Sequence, residues 1–596
     1  VLCIAEKPSV ANTVATILSN GRKRSRSNPA GHAPMCRIHD FFYHFQPARR
    51  KSLISFTSVI GHVEAMEFDE DTGSDPRNLF GARVKKVFET SVEEEEVDRH
   101  LLSLAEGRQY LFLWLDCDRE GENICFEILR LFRSRGYFLS DDVVFRARFS
   151  ALSSDSLKRS FSSPGKPNEE EAMAVDARQE MDLKVGVTFT RLLTRRFLEG
   201  ARRKFNDSKL KLLSFGPCQT PTLFFCVRRD EEIRRFVPRK FWRIEVEVEV
   251  LVGGSRSRTL DLKWMRGSTF DRNQALLALR SCQQTSHARL VRVEKKERSL
   301  DPPLPLNTVA LLQLASLRLG FSPAKTMAIA ERLYTRGYIS YPRTETSRFP
   351  PSFDPSDLLR PLVDGSQLGR FVEKMLEEGC VSVPSRGVDR GDHPPITPMK
   401  SGSMGSLGRE ERRLWELVAS NTVASLMPTF RFLERRGIFK LGGAEDGDEE
   451  GKGRTQGAGR GRGRGRGQGK EEQEGESVPV RSVRVVEEET SAPEPLKEAE
   501  LVQLMDKHGI GTDASISSHI ANILARRYVQ VRLGVRHLKP TELGLAMIAG
   551  LREVDESLVQ PRLRAAMEEQ VSLIAQGAAR KEEVVDVNLA LFLEKF

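Results

Sequence analysis

Residues 110–123 read YLFLWLDCDREGEN. The unbroken apolar run at 110–115 has the length and composition of a strand buried on both faces, the form strands take in parallel sheets. It stops at Asp116, and from residue 124 the pattern ICFEILRLF turns helical. Strand, acidic turn and helix in immediate succession argue for a parallel α/β domain. Side chains two apart on an extended chain point the same way, so Asp116 and Asp118 can converge on one cation at the strand's carboxyl end. Glu120 follows at the same interval. Magnesium, which takes a few carboxylates and keeps several waters, suits such a group. Gly121 is expected to let the chain turn tightly before the helix. The alternative is a solvated acidic turn, which the buried strand feeding into it makes less attractive.

The same grammar opens the chain, and alternating strands and helices continue to about residue 149. Residues 1–5 (VLCIA) read as a strand, followed by EKPS and an amphipathic stretch to residue 18 with Pro8 in its first turn. Glu6 and Lys7 thus stand at an equivalent strand end. Helix amides there favour phosphate, and an acid beside a cation suits proton transfer at phosphorus. Charge merely decorating a helix N-terminus is the plainer alternative.

Beyond 149 the pattern changes. Residues 155–200 are helical, and 240–262, with WRIEVEVEVLV, alternate with period two as a strand with one exposed face. Residues 309–319, 323–335 and 338–344 read helix, turn, helix, strand. Residues 499–508, 516–526 and 528–531, followed by GVRHLKPT, read helix, turn, helix and a two-stranded wing. Such units often contact nucleic-acid backbones, although each alone could be a helical hairpin in a core. Residues 442–489 carry EDGDEEG, then GAGRGRGRGRGQGK, then a second acidic run, with no large apolar residue before Val478. They are expected to form a disordered insertion in a surface loop. Residues 22–36 (RKRSRSNPAGHAPMC) are more basic and longer than a simple connection requires.

The 596 residues imply three to five domains, and the net charge of +10 tilts the odds towards a polyanionic partner. No apolar run approaches the ~20 residues of a membrane span. The first residues lack a basic region ahead of an apolar one, so no signal peptide is expected. The eight cysteines form no CxxC pair, which argues against a zinc ribbon or disulfide framework and for a reducing compartment. No GxxxxGK[ST] loop is present, so no ATP site of that kind is expected.

Tyr341 lies in GYISYPRTET. A phenol can attack phosphorus when nearby cations stabilise the developing charge, and Arg343, two residues on, can face the same side. Tyr334 and Tyr338 are close by. Most tyrosines are packing residues, and spacing alone does not single out Tyr341.

The motifs AEKPSVA, LDCDREGEN, RARFS, DARQEMD, SFGPCQTPTL, GYISYPRTET, GDHPPITPMKS and KHGIGTDASI occur in the order found in type IA topoisomerases. The chain resembles the eukaryotic topoisomerase III group, most of all its beta branch, from residue 1 to about 579. One departure is that the Gly-Arg repeat is internal here, whereas the beta branch carries such sequence after the core. The resemblance implies a multidomain α/β and α+β ring. Its parts would be a TOPRIM domain (1–152), a winged-helix-like helical domain (153–225 and 492–596), a β-rich gate domain (226–300 and 401–491) and a winged-helix-like tyrosine domain (301–400). By matching positions it implies Asp116, Asp118 and Glu120, together with Glu6, as magnesium ligands, with Glu6 also the catalytic glutamate and Lys7 its neighbour. Tyr341 would be the nucleophile, flanked by Arg343, and His393 would lie near the scissile phosphate. Arg178 and Asp182 would line a single-strand groove; Gln219, Thr220, Thr512 and Ser515 would belong to that groove or its hinges. The implied activity is single-strand cleavage through a 5′-phosphotyrosine, strand passage and rejoining, with Mg²⁺ and without ATP or zinc. Single-stranded DNA is the implied partner. RNA as a further substrate, a Tudor-domain scaffold protein, and a nuclear or also cytoplasmic location are the remaining expectations. A TOPRIM nuclease or primase without a tyrosine step, and a non-enzymatic nucleic-acid scaffold, are the competing functions.

Overall fold

A computed structural model describes every residue except 70–74, 253–255, 352, 403–406, 442–453, 458–473, 513–514 and 533. The chain forms two compact units: Val1–Asp230 with Pro303–Met427 and Pro495–Phe596, and Glu231–Pro302 with Pro428–Glu494.

In the first unit the decisive strand, Leu111–Trp114, lies beside Leu2–Ala5 inside a six-stranded sheet. Both strands are fully buried, as continuous apolar runs require. Arg50–Ser58, Leu2–Ala5, Leu111–Trp114 and Val144–Arg146 run parallel. The sheet is not wholly parallel, however. Ile38–Phe45 reaches Arg50–Ser58 through a single short turn, and so brief a connection can only return the chain antiparallel. Outside it, Arg24–Arg26 adds an edge strand. The basic stretch 22–36 therefore carries a strand of the sheet rather than a plain connection. Asn28 within it bonds His100 at 2.9 Å and Ser103 at 3.0 Å.

The helix after the acidic turn begins earlier than its apolar pattern, at Arg119, and runs to Arg133. Asp118 caps it by accepting from the Gly121 amide at 2.8 Å. Gly121 thus sits inside the first helical turn rather than before it. The need for glycine is one of space: a Cβ here would lie 1.8 Å from the Asp116 carbonyl oxygen.

Helices Ser154–Ser162 and Glu169–Lys204 account for the helical stretch after 150. Both helix-turn-helix readings hold as helices, Thr308–Leu319 with Pro323–Thr335 and Glu498–Lys507 with Ile516–Ala525. The second carries its wing, Val529–Arg532 paired with His537–Pro540. The first does not end in a strand. Residues 338–344 make only an isolated bridge, Ile339 to Pro398, because Pro342 has no N–H to continue a ladder. The main chain is held instead by single bonds, Ser340 N to Thr397 O and Tyr341 N to Ser150 O, both 2.9 Å.

The second unit is a closed barrel. Residues 240–262 are two antiparallel strands of it, Lys240–Val252 and Arg256–Trp264, with the Val246 and Val248 face inside. The expected insertion is shorter than 442–489. Arg454–Gly457 and Ser477–Glu489 are barrel strands, the latter because Val478, Val480, Val483 and Val485 supply an apolar face to the core. The Gly-Arg repeat itself, apart from Gly457, lies outside the described residues. Among the described residues no helix is long and apolar enough to cross a membrane.

Candidate active site

The carboxyl ends of Leu2–Ala5 and Leu111–Trp114 are adjacent, so Glu6 and Lys7 meet Asp116 directly. Lys7 Nζ lies 3.3 Å from Asp116 Oδ2 and 3.2 Å from Glu6 Oε1. The Asp116 amide donates to Glu6 Oε2 at 3.1 Å. Burial first, then the neighbouring Asp116 charge, pushes the Glu6 carboxyl up to about 7. Burial likewise raises Asp116. Burial opposes the charge on Lys7, but Glu6 and Asp116 outweigh it and hold the ammonium above its usual range.

Two phenols reach this cluster from the segment that follows Thr308–Leu319. The Tyr341 hydroxyl donates to Asp118 Oδ2 at 2.6 Å, and the Tyr334 hydroxyl donates to Asp116 Oδ1 at 3.3 Å. Their rings meet edge to face at 5.2 Å, and the other side of Tyr341 rests on His393 at 4.5 Å. Burial, then the Asp118 charge, raises the Tyr341 phenol well above its ordinary pKa, so this arrangement keeps it protonated. Arg343 lies 3.9 Å from Asp118 and is bonded to Glu331. His393 is buried and neutral, pushed down to about 4 by burial. Its Nδ1 meets Ser150 Oγ at 2.8 Å, while Nε2 has no hydrogen-bond partner. Asp392 accepts from the Glu345 amide at 2.7 Å and from Thr346, which ties the GDHPP loop to the tyrosine segment.

Seven of the singled-out residues therefore converge: Glu6, Lys7, Asp116, Asp118, Tyr341, Arg343 and His393. Glu120 turns away. It is bonded to Arg178 and lies 3.4 Å from His62 Nε2. Burial would raise its carboxyl, but these two cations hold it down to about 2. Among the described residues no three acidic, histidine or cysteine side chains are gathered closely enough to form a ready metal cage. Asp116 and Asp118 nevertheless fit a hard cation in chemistry, as two carboxylates at one strand end with Glu6 bonded to the Asp116 amide. Lys7 and Arg343 are the cations an ion would have to displace from them.

Glu120's partner Arg178 leads to a second site, a cavity of about 390 Å³ lined by Arg178, Asp182, Ser515, His62, His519 and Arg564, among others. Arg564, buried, clamps both Asp182 and Glu568. Thr512 stands beside this cavity, its amide donating to Ser515 Oγ at 2.8 Å. Gln219 and Thr220 join neither site. They begin the helix Gln219–Arg235, and Gln219 bonds Ser214 Oγ at 2.9 Å.

Sequence reasoning passed over several contributors. Tyr334, read only as a packing residue, is buried and contacts Asp116. Arg146 is fully buried. It donates to the carbonyls of Leu115 (2.7 Å), Asp116 (2.7 Å) and Ala147 (2.8 Å) and pairs with Glu122 at 3.0 Å. It thus pins the strand end that bears the acids. Its position within RARFS was the available signal. His62 follows Arg50–Ser58, a third parallel strand end, the place where functional groups of such sheets gather.

A family model described as Toprim domain matches residues 1–152, and one described as DNA topoisomerase matches residues 166–586. The chain is 40% identical to human DNA topoisomerase 3-beta-1, over all of this chain and 68% of that protein. It is 33% identical to human DNA topoisomerase 3-alpha, over all of this chain and 58% of that protein. Full-length topoisomerase I from Thermotoga maritima has a similar fold, with a TM-score of 0.72 at 23% identity over 100% of this chain and 89% of that one.

Proposed function

Because the chain belongs to the type IA DNA topoisomerases, its greater likeness being to the 3-beta branch, we propose that it cuts and reseals one DNA strand through Tyr341. The observation that carries this is the 2.6 Å bond joining Tyr341 of one segment to Asp118 at a sheet end, with Arg343 and His393 beside the ring. The Tyr341 oxygen attacks a backbone phosphorus, the bond from phosphorus to the 3′ oxygen breaks, and the 5′ phosphate remains on the tyrosine. The phenolic proton leaves along the hydrogen bond to Asp118. Glu6 supplies a proton to the departing 3′ oxygen. Arg343, Lys7 and His393 stabilise charge on phosphorus. Resealing is the reverse, so the phosphodiester energy stays in the ester and no ATP is consumed.

Asp116 and Asp118, with Glu6 beside them, would hold Mg²⁺. Glu120 would join them only by leaving Arg178 and His62. When bound, the ion supplies positive charge that orients the strand's phosphates for rejoining. The cavity around Arg178, Asp182, Ser515 and Arg564 takes the single strand on its way to Tyr341. RNA as a second substrate, a Tudor-domain scaffold as partner, and a nuclear, also cytoplasmic, location are further parts of this proposal.

The test is covalent trapping on a single-stranded DNA oligonucleotide labelled at its 3′ end. Label is expected to stay with the denatured protein, and Tyr341→Phe to abolish it while single-strand binding persists. Label retained by Tyr341→Phe would refute the assignment.

A further inference from the structure

Glu331 lies on the helix Pro323–Thr335, three residues before Tyr334, and no feature of the sequence marks it out. Its carboxylate accepts a hydrogen bond from Arg343 Nη2, the guanidinium given the task of holding the scissile phosphate. Both side chains are only partly exposed, 25% for Arg343 and 32% for Glu331. The Glu331 charge is also among those that hold Lys7 protonated, so its field reaches across the site.

A guanidinium carries five N–H donors, and the one on Nη2 that Glu331 takes suits a phosphate oxygen equally well. That one donor cannot serve both. Around Lys7 and Arg343 stand four carboxyl groups, Glu6, Asp116, Asp118 and Glu331. The first three lie at the sheet ends and have roles in the proposed chemistry. Glu331 has none, yet it holds the better bond to Arg343, since Asp118 is 3.9 Å away.

We propose that Glu331 is a built-in competitor of the scissile phosphodiester. Glu331 positions Arg343 through Nη2, and it must give up that donor when the strand's phosphate takes the same edge. The inference rests on the reading of Tyr341 and Arg343 above. Its consequence is weaker ground-state binding, which favours release of the strand after resealing. Binding shared equally by ground and transition states does nothing for the chemical step.

The experiment measures binding of a 12-nucleotide single-stranded DNA without added metal, in the Tyr341→Phe background so that no cleavage intervenes. Glu331→Gln keeps the shape and an oxygen that can accept from Arg343, but removes the charge. It is expected to tighten binding about three- to tenfold, the effect of one charge at close range in a partly solvated site. Arg343→Ala alone is expected to weaken binding, and adding Glu331→Gln to it to produce no further tightening, because the competition is for Arg343. Unchanged or weaker binding by Glu331→Gln would overturn the inference and leave Glu331 a bystander or a plain anchor. Equal tightening with and without Arg343 would overturn it too, by revealing general electrostatics. If Arg343→Ala leaves binding unaltered, the reading of the site fails together with the inference.

Discussion

Tyr341 and Asp118, 223 residues apart in the chain, are joined hydroxyl to carboxylate at 2.6 Å. The contact places a nucleophile candidate against the acidic end of a parallel sheet. It also gives the phenolic proton an acceptor at the sheet end.

Tyr334 makes the parallel contact to Asp116 at 3.3 Å, which raises the question of which phenol reacts. Tyr334→Phe removes one hydrogen bond of about 1 kcal/mol and leaves the ring packed against Tyr341. Covalent adduct formation by this variant is expected to remain within about threefold of the parent. An adduct lost in Tyr334→Phe and retained in Tyr341→Phe would exchange the two assignments.

Replacing Asp116 and Asp118 together with Asn removes the charges that a hard cation needs. Calorimetric titration with Mg²⁺ is expected to find no binding in this variant. Resealing of a preformed nick-linked complex is expected to slow by a factor of about ten or more. Undiminished Mg²⁺ binding would place the ion elsewhere.

Arg146 carries no direct chemistry in the proposed scheme, yet it ties three carbonyls and Glu122 at the strand end. Arg146→Met leaves Glu122 buried with only Arg148 as a cation, at 3.3 Å, and is expected to destabilise the first unit by about 3–5 kcal/mol. Arg146→Lys will not restore stability, because an ammonium lacks the planar fork that spans these acceptors. Urea unfolding of both variants measures this; full rescue by lysine would show that charge alone matters.

His100 is buried between Thr57, at 2.8 Å, and Asn28, at 2.9 Å. Burial, with His32 and Arg26 adding to it, pushes its pKa from 6.5 down to about 4. The unfolded chain therefore binds the proton more readily than the folded one. The histidine's stabilising contribution is complete above pH 6.5 and falls away as pH drops towards 4, by up to about 3 kcal/mol. His100→Gln is expected to flatten the fall in thermal unfolding temperature between pH 6.5 and 4. An unchanged pH profile would exclude His100 as a source of acid lability.

What sequence alone determined is local. The apolar runs at 110–115 and 1–5 were legible as buried strands of an α/β domain, and only the fold made them neighbours. The ordered motifs carried the family and named Tyr341 when spacing could not. Both helix pairs were legible from 3.6-residue periodicity. Tertiary structure decided what periodicity does not encode. It turned Ser477–Glu489 from expected disorder into a barrel strand, because its valines find a core only when paired with Lys240–Val252. It drew Glu120 away from Asp116 and Asp118, because a helical first turn swings its side chain towards Arg178 and His62. It gave Tyr334, Glu331 and Arg146 their parts through partners up to 218 residues away in the chain. Period and composition act over one turn or one strand. A hydrogen bond between distant segments depends on how whole elements pack, and only the folded chain supplies that distance.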